Sequence, residues 1–140
     1  MTDYKHFKCH KISEGRARGE VLASADDICF YLVEPKTGVI IEEGHAAQGK
    51  SVAGKILVFP SGKGSSVVQA DGLYQLMQHG MGPKAMIIRR PDTVLVATAI
   101  ILEVPLVDRV DEEFFRVIQS GDLVEVDAEV NDIALAARVA

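Results

Sequence analysis

The sequence is short of cysteine, of long apolar runs and of positive charge, and each shortage removes a class of protein. Its two cysteines, Cys9 and Cys29, are far apart and form no CxxC pair. Two thiols cannot by themselves ligate a four-cysteine iron–sulfur cluster or a tetrahedral zinc. They read as a pair of buried free thiols rather than as a redox motif or a disulfide framework. The longest apolar stretch, "VLVATAIIL", is half the roughly 18 residues that a membrane span requires, so no membrane partner is expected. Lys and Arg number 15 against 20 Asp and Glu, a net charge of -5, which argues against nucleic-acid phosphate as a partner. The first residues, "MTDYKHFKCHK", are polar and hold no apolar signal core, so the expected compartment is the cytoplasm. No repeat, low-complexity tract or linker divides the 140 residues, and a single domain over 1–140 is expected.

What is present is ordinary globular composition, 48% apolar and 25% charged. Residues 5–12 and 16–24 read as two strands about the turn "SEGR". "ICFYLV" (28–33) reads as another, and "VIIE" as a short one after the turn "EPKTG". "GHAAQGKSVAG" (44–54) is a glycine-rich loop. "KILVF" (55–59) and "KAMII" (84–88) are continuous apolar runs of the kind buried on both faces of a parallel sheet. Between them a helix runs from an N-cap at Ser65 to about Gln78, with Val68, Leu73, Leu76 and Met77 as its apolar stripe. Gly72 inside it costs about 1 kcal/mol relative to alanine. Residues 55–88 are therefore a β-α-β unit with parallel strands. "TVLVATAIIL" reads as a short helix capped by Asp92 or Thr93, "VPLVD" as a third parallel strand, and "DEEFFRVIQSG" as a helix stopped by Gly121. "DLVEVDAEV" alternates as a final strand. The expected class is α/β, with a parallel core sheet and a second mixed or antiparallel sheet.

The stretch "PSGKGSS" (60–66) interrupts this apolar centre where strand gives way to helix. Such a turn lies at the carboxyl end of a parallel strand, where open α/β sheets bind ligands. The first N–H groups of the helix lack internal acceptors and attract carboxylate or phosphate. Gly62 and Gly64 permit close approach of the backbone to a ligand, and Lys63 adds a charge. The lysine precedes the second glycine, so this is no Walker A loop, and it is no G-x-S-x-G elbow either. Two readings stand: Ser65 only caps the helix, or it carries chemistry. None of His6, His10, His45 and His79 lies at a spacing that marks it as the partner base of a serine. Lys55, Arg89 and Arg90 read as solvated charges.

With "EPKTGVI", "GHAAQGKSVAGKILVFPSGKGSSV" and "VPLVD" on the page, the chain resembles the small subunit of the aconitase X family, from about residue 5 to 130. The resemblance implies a three-layer β/β/α swivelling domain. It implies a large-subunit partner that holds an iron–sulfur cluster, leaving this chain with no metal site of its own. It implies dehydration of a small hydroxy acid, leaning to mevalonate 5-phosphate, with cis-3-hydroxy-L-proline as the alternative. Ser65 matches the family's proton-abstracting serine, and Gly62, Lys63, Gly64 and Ser66 become candidate substrate contacts. A non-catalytic module that binds an anion or a partner through the same loop is the rival reading. Taking a proton alpha to a carboxylate builds negative charge, which preorganised donors must hold. A Lewis-acidic iron would assist the leaving hydroxide. Aconitases proper follow their double serine with arginine; here Val67 takes that place.

Overall fold

The computed structural model describes residues 3–138, so the outer two residues at each end of the expected 1–140 domain lie outside it. Its centre is three parallel strands, β4 (Ile56–Phe59), β5 (Ala85–Ile88) and β6 (Leu106–Asp108), in which every residue is buried. Continuous apolar sequence is required here because the sheet is covered on both faces. Ile56, Val58, Ala85, Ile87 and Val107 point into one core; Leu57, Phe59, Met86, Ile88 and Leu106 point into another. The second core is roofed by α1 (Ser66–Gln78) and α2 (Thr93–Ile101), through Leu73, Leu76, Leu95 and Ala99.

The first core lies between the parallel sheet and an antiparallel one. That second sheet holds β1 (Tyr4–Lys8), β8 (Asp132–Ala136), β7 (Leu123–Asp127) and the first half of β3 (Arg16–Ala23). Residues 16–20 of β3 pair with β7, and Val21–Ala23 pair in parallel with β4, so one strand serves both sheets. β2 (His10–Ser13) pairs antiparallel with β6, giving the strand order β1-β8-β7-β3-β4-β5-β6-β2. The short helix α3 (Glu112–Val117) inserts Phe114 between the sheets, edge-on to Phe7 at 5.3 Å. The layers are sheet, sheet and helix pair, which is the β/β/α arrangement expected.

Five local readings differ; in one, the helix expected to run to a stop at Gly121 ends at Val117, because Ile118 is already extended. The run at 5–12 divides at Cys9, because β1 and β2 pair with different sheets, and neither forms a hairpin with β3. "ICFYLV" is no strand: Ile28 and Val33 make single bridges and Phe30–Leu32 form a 3-10 turn. "VIIE" contributes single bridges at Val39 and Ile40. "DLVEVDAEV" ends at Asp127; a 3-10 turn over Ala128–Val130 and left-handed Asn131 (φ 55°) then reverse the chain into β8, which the sequence did not suggest. No helix among the described residues is long and apolar enough to cross a membrane.

Candidate functional site

The 60–66 loop leaves β4 at the carboxyl edge of the parallel sheet and delivers the chain to α1. Its root is fixed by backbone bonds. The Pro60 carbonyl accepts the N–H of both Arg89 and Arg90, each at 3.0 Å. Ile28 brackets Gly62, donating to the Ser61 carbonyl at 3.0 Å and accepting from the Lys63 N–H at 3.1 Å. Gly64, at φ +107°, adopts a conformation that glycine alone takes without strain, and a Cβ there would press on Cys29 Sγ at 3.0 Å. At Gly62 the space a Cβ would fill is occupied by Gln69 Oε1. Both glycines thus let the loop close down on protein atoms.

Ser65 stands at the N-cap of α1 in extended conformation, φ -69° and ψ 155°, and its carbonyl accepts the Gln69 N–H at 3.0 Å. Among the described residues, its side chain makes no capping hydrogen bond. Ser65 and Ser66 are both exposed at the tip. The N–H groups of the first turn, which have no acceptor inside a helix, belong to the residues that directly follow Ser65, at the positive end of the helix dipole. A serine placed so has its oxygen available, and a developing alkoxide or carboxylate there meets donors rather than water alone.

Lys63 is half-exposed and donates through Nζ to Glu42 Oε2 at 2.7 Å. That hydrogen bond raises the ammonium above the ordinary lysine range, so it is charged, but it faces a carboxylate of its own chain. Arg89 and Arg90 are also partnered. Arg89 donates to Glu112 at 2.7 Å and stacks on the Phe115 ring at 4.0 Å; Arg90 reaches Asp27 at 3.1 Å. A cavity of about 370 Å³ below Pro60 is lined by Ser24, Arg89 and Phe115 and by none of residues 62–66. Lys55 lies at the opposite end of β4.

The four histidines have their own partners. His6 contacts Asp132 at 2.9 Å and His10 contacts Asp108 at 2.7 Å, both on strands. His79 meets the Gln75 carbonyl at the far end of α1. His45 is buried; its Nδ1 accepts the Ala47 N–H and its Nε2 donates to the Asp27 carbonyl, each at 2.9 Å. Sequence reasoning missed Gln69, Glu42 and Cys29 as neighbours of the loop. Gln69 was readable as a polar residue on the buried 69/72/73/76 face of α1.

The two cysteines do not fit an iron–sulfur cluster. Both are free, and they lie in different places: Cys9 between the two sheets, half-buried Cys29 against Gly64. Burial first, and the surrounding aspartates second, push the Cys9 thiol up to about 12, whereas ligation needs the thiolate. Among the described residues, no group of three or more His, Cys, Asp or Glu is arranged to hold a metal.

A β/β/α module with an exposed serine loop at the carboxyl edge of its parallel sheet is a swivelling domain of the aconitase type. The model of the family described as aconitase X swivel domain matches residues 6–135, and the chain belongs to that family. It is 42% identical over 133 residues to the phosphomevalonate dehydratase small subunit of Methanococcoides burtonii, covering 94% of this chain and 96% of that one. It is 44% identical to the protein of the same name in Methanocella arvoryzae, covering 92% and 98%. The crystal structure of Thermococcus kodakaraensis aconitase X in its holo-form superposes with a TM-score of 0.86 at 37% identity, over 94% of this chain and 98% of that one.

Proposed function

We propose that this chain is the small subunit of a two-subunit dehydratase that acts on mevalonate 5-phosphate, with Ser65 as the base that takes the proton from carbon. The observation that carries the reading is the serine at the helix N-cap whose hydroxyl is not used as a cap. A stabilising bond worth about 1 kcal/mol is available to that hydroxyl and is not made. The first-turn N–H groups and the helix dipole favour negative charge at Ser65 Oγ, and then on the substrate carboxylate as the proton leaves. Ser66 presents its hydroxyl beside them. Gly62, Lys63 and Gly64 set the course of the loop, Lys63 through Glu42. The relatives at 42–44% identity, named phosphomevalonate dehydratase small subunit, support the substrate and the subunit role.

The exposed tip also supports a partner. Proton abstraction from carbon needs a site closed to water, and Ser65 and Ser66 stand open on this chain. We assign the walls of the pocket and the iron–sulfur cluster to a large subunit. The test is co-expression with a cysteine-rich large chain and assay of mevalonate 5-phosphate dehydration. Ser65→Ala should lower kcat about 10²–10⁴-fold, the range of a lost acid–base group, while the small chain stays folded. A complex that turns over phosphomevalonate undiminished with Ser65→Ala removes the base. Turnover of cis-3-hydroxy-L-proline instead replaces the substrate.

A further inference from the structure

Gln69 is 2% exposed, and its Oε1 is the buried side-chain oxygen without a hydrogen-bond partner among the described residues. Its Nε2 donates to Asp92 Oδ2 at 3.1 Å. The same oxygen accepts the Leu95 N–H at 2.9 Å as the cap of α2. A carboxylate only accepts, so the amide is held with its nitrogen toward Asp92 and its oxygen toward the loop. There the oxygen lies against Gly62, in the space a side chain would need. The backbone of Gln69 meanwhile donates to the Ser65 carbonyl at 3.0 Å. One residue therefore touches both the entry and the exit of the serine loop.

Leaving an acceptor buried and unpaired costs about 1–3 kcal/mol, and such a group calls for a reason beyond packing. We propose that Gln69, oriented by Asp92, is a positioning residue: its amide oxygen props Gly62 and fixes the loop so that Ser65 points outward from the helix end. That this placement serves proton abstraction rests on the function proposed above; that it orders the loop does not. Leucine keeps the volume of Gln69 and lacks the amide. Glutamate, when protonated, copies the glutamine: its O–H donates to Asp92 and its C=O faces Gly62. Asp92 on α2 is the titratable group in contact; on the loop side, Lys63 is turned to Glu42 and Cys29 sits behind Gly64. A buried carboxyl at position 69 against the part-buried Asp92 holds a shared proton above the ordinary carboxyl range, so the copy persists at acid pH and is lost as pH rises.

Backbone order parameters of residues 62–66 in the full chain provide the first test. In the native protein we expect rigid values of about 0.85, equal at pH 5 and pH 7.5. Gln69→Leu should lower them below about 0.6 while the melting temperature holds. Gln69→Glu should be rigid at pH 5 and loose at pH 7.5. In the two-subunit enzyme, Gln69→Leu should lower kcat about 10–100-fold with KM changed less than twofold, as expected for a misplaced group. Gln69→Glu should recover kcat at acid pH. Order parameters that match the native protein in both variants overturn the proposal, as does loosening spread evenly over the fold with a falling melting temperature. If Gln69→Leu fails to fold, the pH response of Gln69→Glu decides. An inactive native complex with a loosened variant loop sinks the function and leaves the positioning role standing.

Discussion

Two turns lie side by side at the carboxyl edge of the parallel sheet, one after β4 and one after β5, and they close their helices differently. After β5, Asp92 accepts the Leu95 N–H at 2.9 Å and the α2 terminus is sealed. After β4, Ser65 holds the same cap position but its hydroxyl is not committed to the helix. A cap contributes about 1 kcal/mol, so α1 forgoes a gain that its neighbour takes. It can do so because α1 is secured from its middle. Gly72 lets it settle onto the backbone of Phe30 and Tyr31, and Leu73 and Leu76 are fully buried. The sealed turn serves stability, and the open turn keeps donors and a hydroxyl available at the surface. Asp92 joins the two, since the oxygen that seals α2 also orients Gln69 under the open loop.

The comparison can be broken first at Gly72. Gly72→Val would drive a side chain into the Phe30 carbonyl carbon and lift α1 from its seat, at a cost of about 3 kcal/mol by urea unfolding, near the top of the overpacking range. A change below about 1 kcal/mol would mean that α1 is not held from its middle. Asp92→Ala comes next, at about 2 kcal/mol: it removes a cap and leaves the Gln69 amide a second unpaired end. Ser65→Asp sharpens the contrast with a smaller effect of opposite sign. It should close the open turn as Asp92 closes its neighbour, raise stability by about 0.5–1 kcal/mol, and abolish dehydratase activity in the complex. Equal activity with a sealed turn would separate openness from function.

The smallest effect lies away from both turns, at Asp122 and Arg138. Arg138 donates to both carboxylate oxygens at 2.8 Å, and this pairing holds Asp122 below the ordinary carboxylate range. A lowered folded-state pKa contributes stability above the unfolded value and loses it as pH falls through the folded one. Arg138→Met should therefore lower the melting temperature at pH 7. The gap to the native protein should shrink on acidification through that lowered range. A gap independent of pH would assign the effect to packing alone.

Much of the fold was readable because burial on both faces leaves a plain mark. "ILVF", "AMII" and "LVD" gave the parallel strands, and Asp92 marked the start of α2. "ICFYLV" misled because its strand-forming residues are recruited by α1: Phe30 and Tyr31 supply backbone to Gly72, and tertiary packing overrides propensity. β8 was hidden by its two alanines in "DIALA", poor strand formers whose place is set by pairing with β1 and β7. The serine loop stood out through its glycines. Its supports did not, since Glu42, Cys29, Gln69 and Asp92 come from four separate stretches and meet only in three dimensions.

The strand shared between the sheets has a consequence for how the molecule assembles. β3 gives its first residues to one sheet and its last to the other, and β1 and β2, divided only by Cys9, do the same along the opposite seam. The first strand pairs with the last, Tyr4 beside Ala136, so the seam joins only when nearly the whole chain is in place. Such distant pairings put refolding on a millisecond-to-second scale rather than the microseconds of a helical bundle. They also tie both sheets into one strand order, so the described residues are expected to unfold in a single transition rather than half by half.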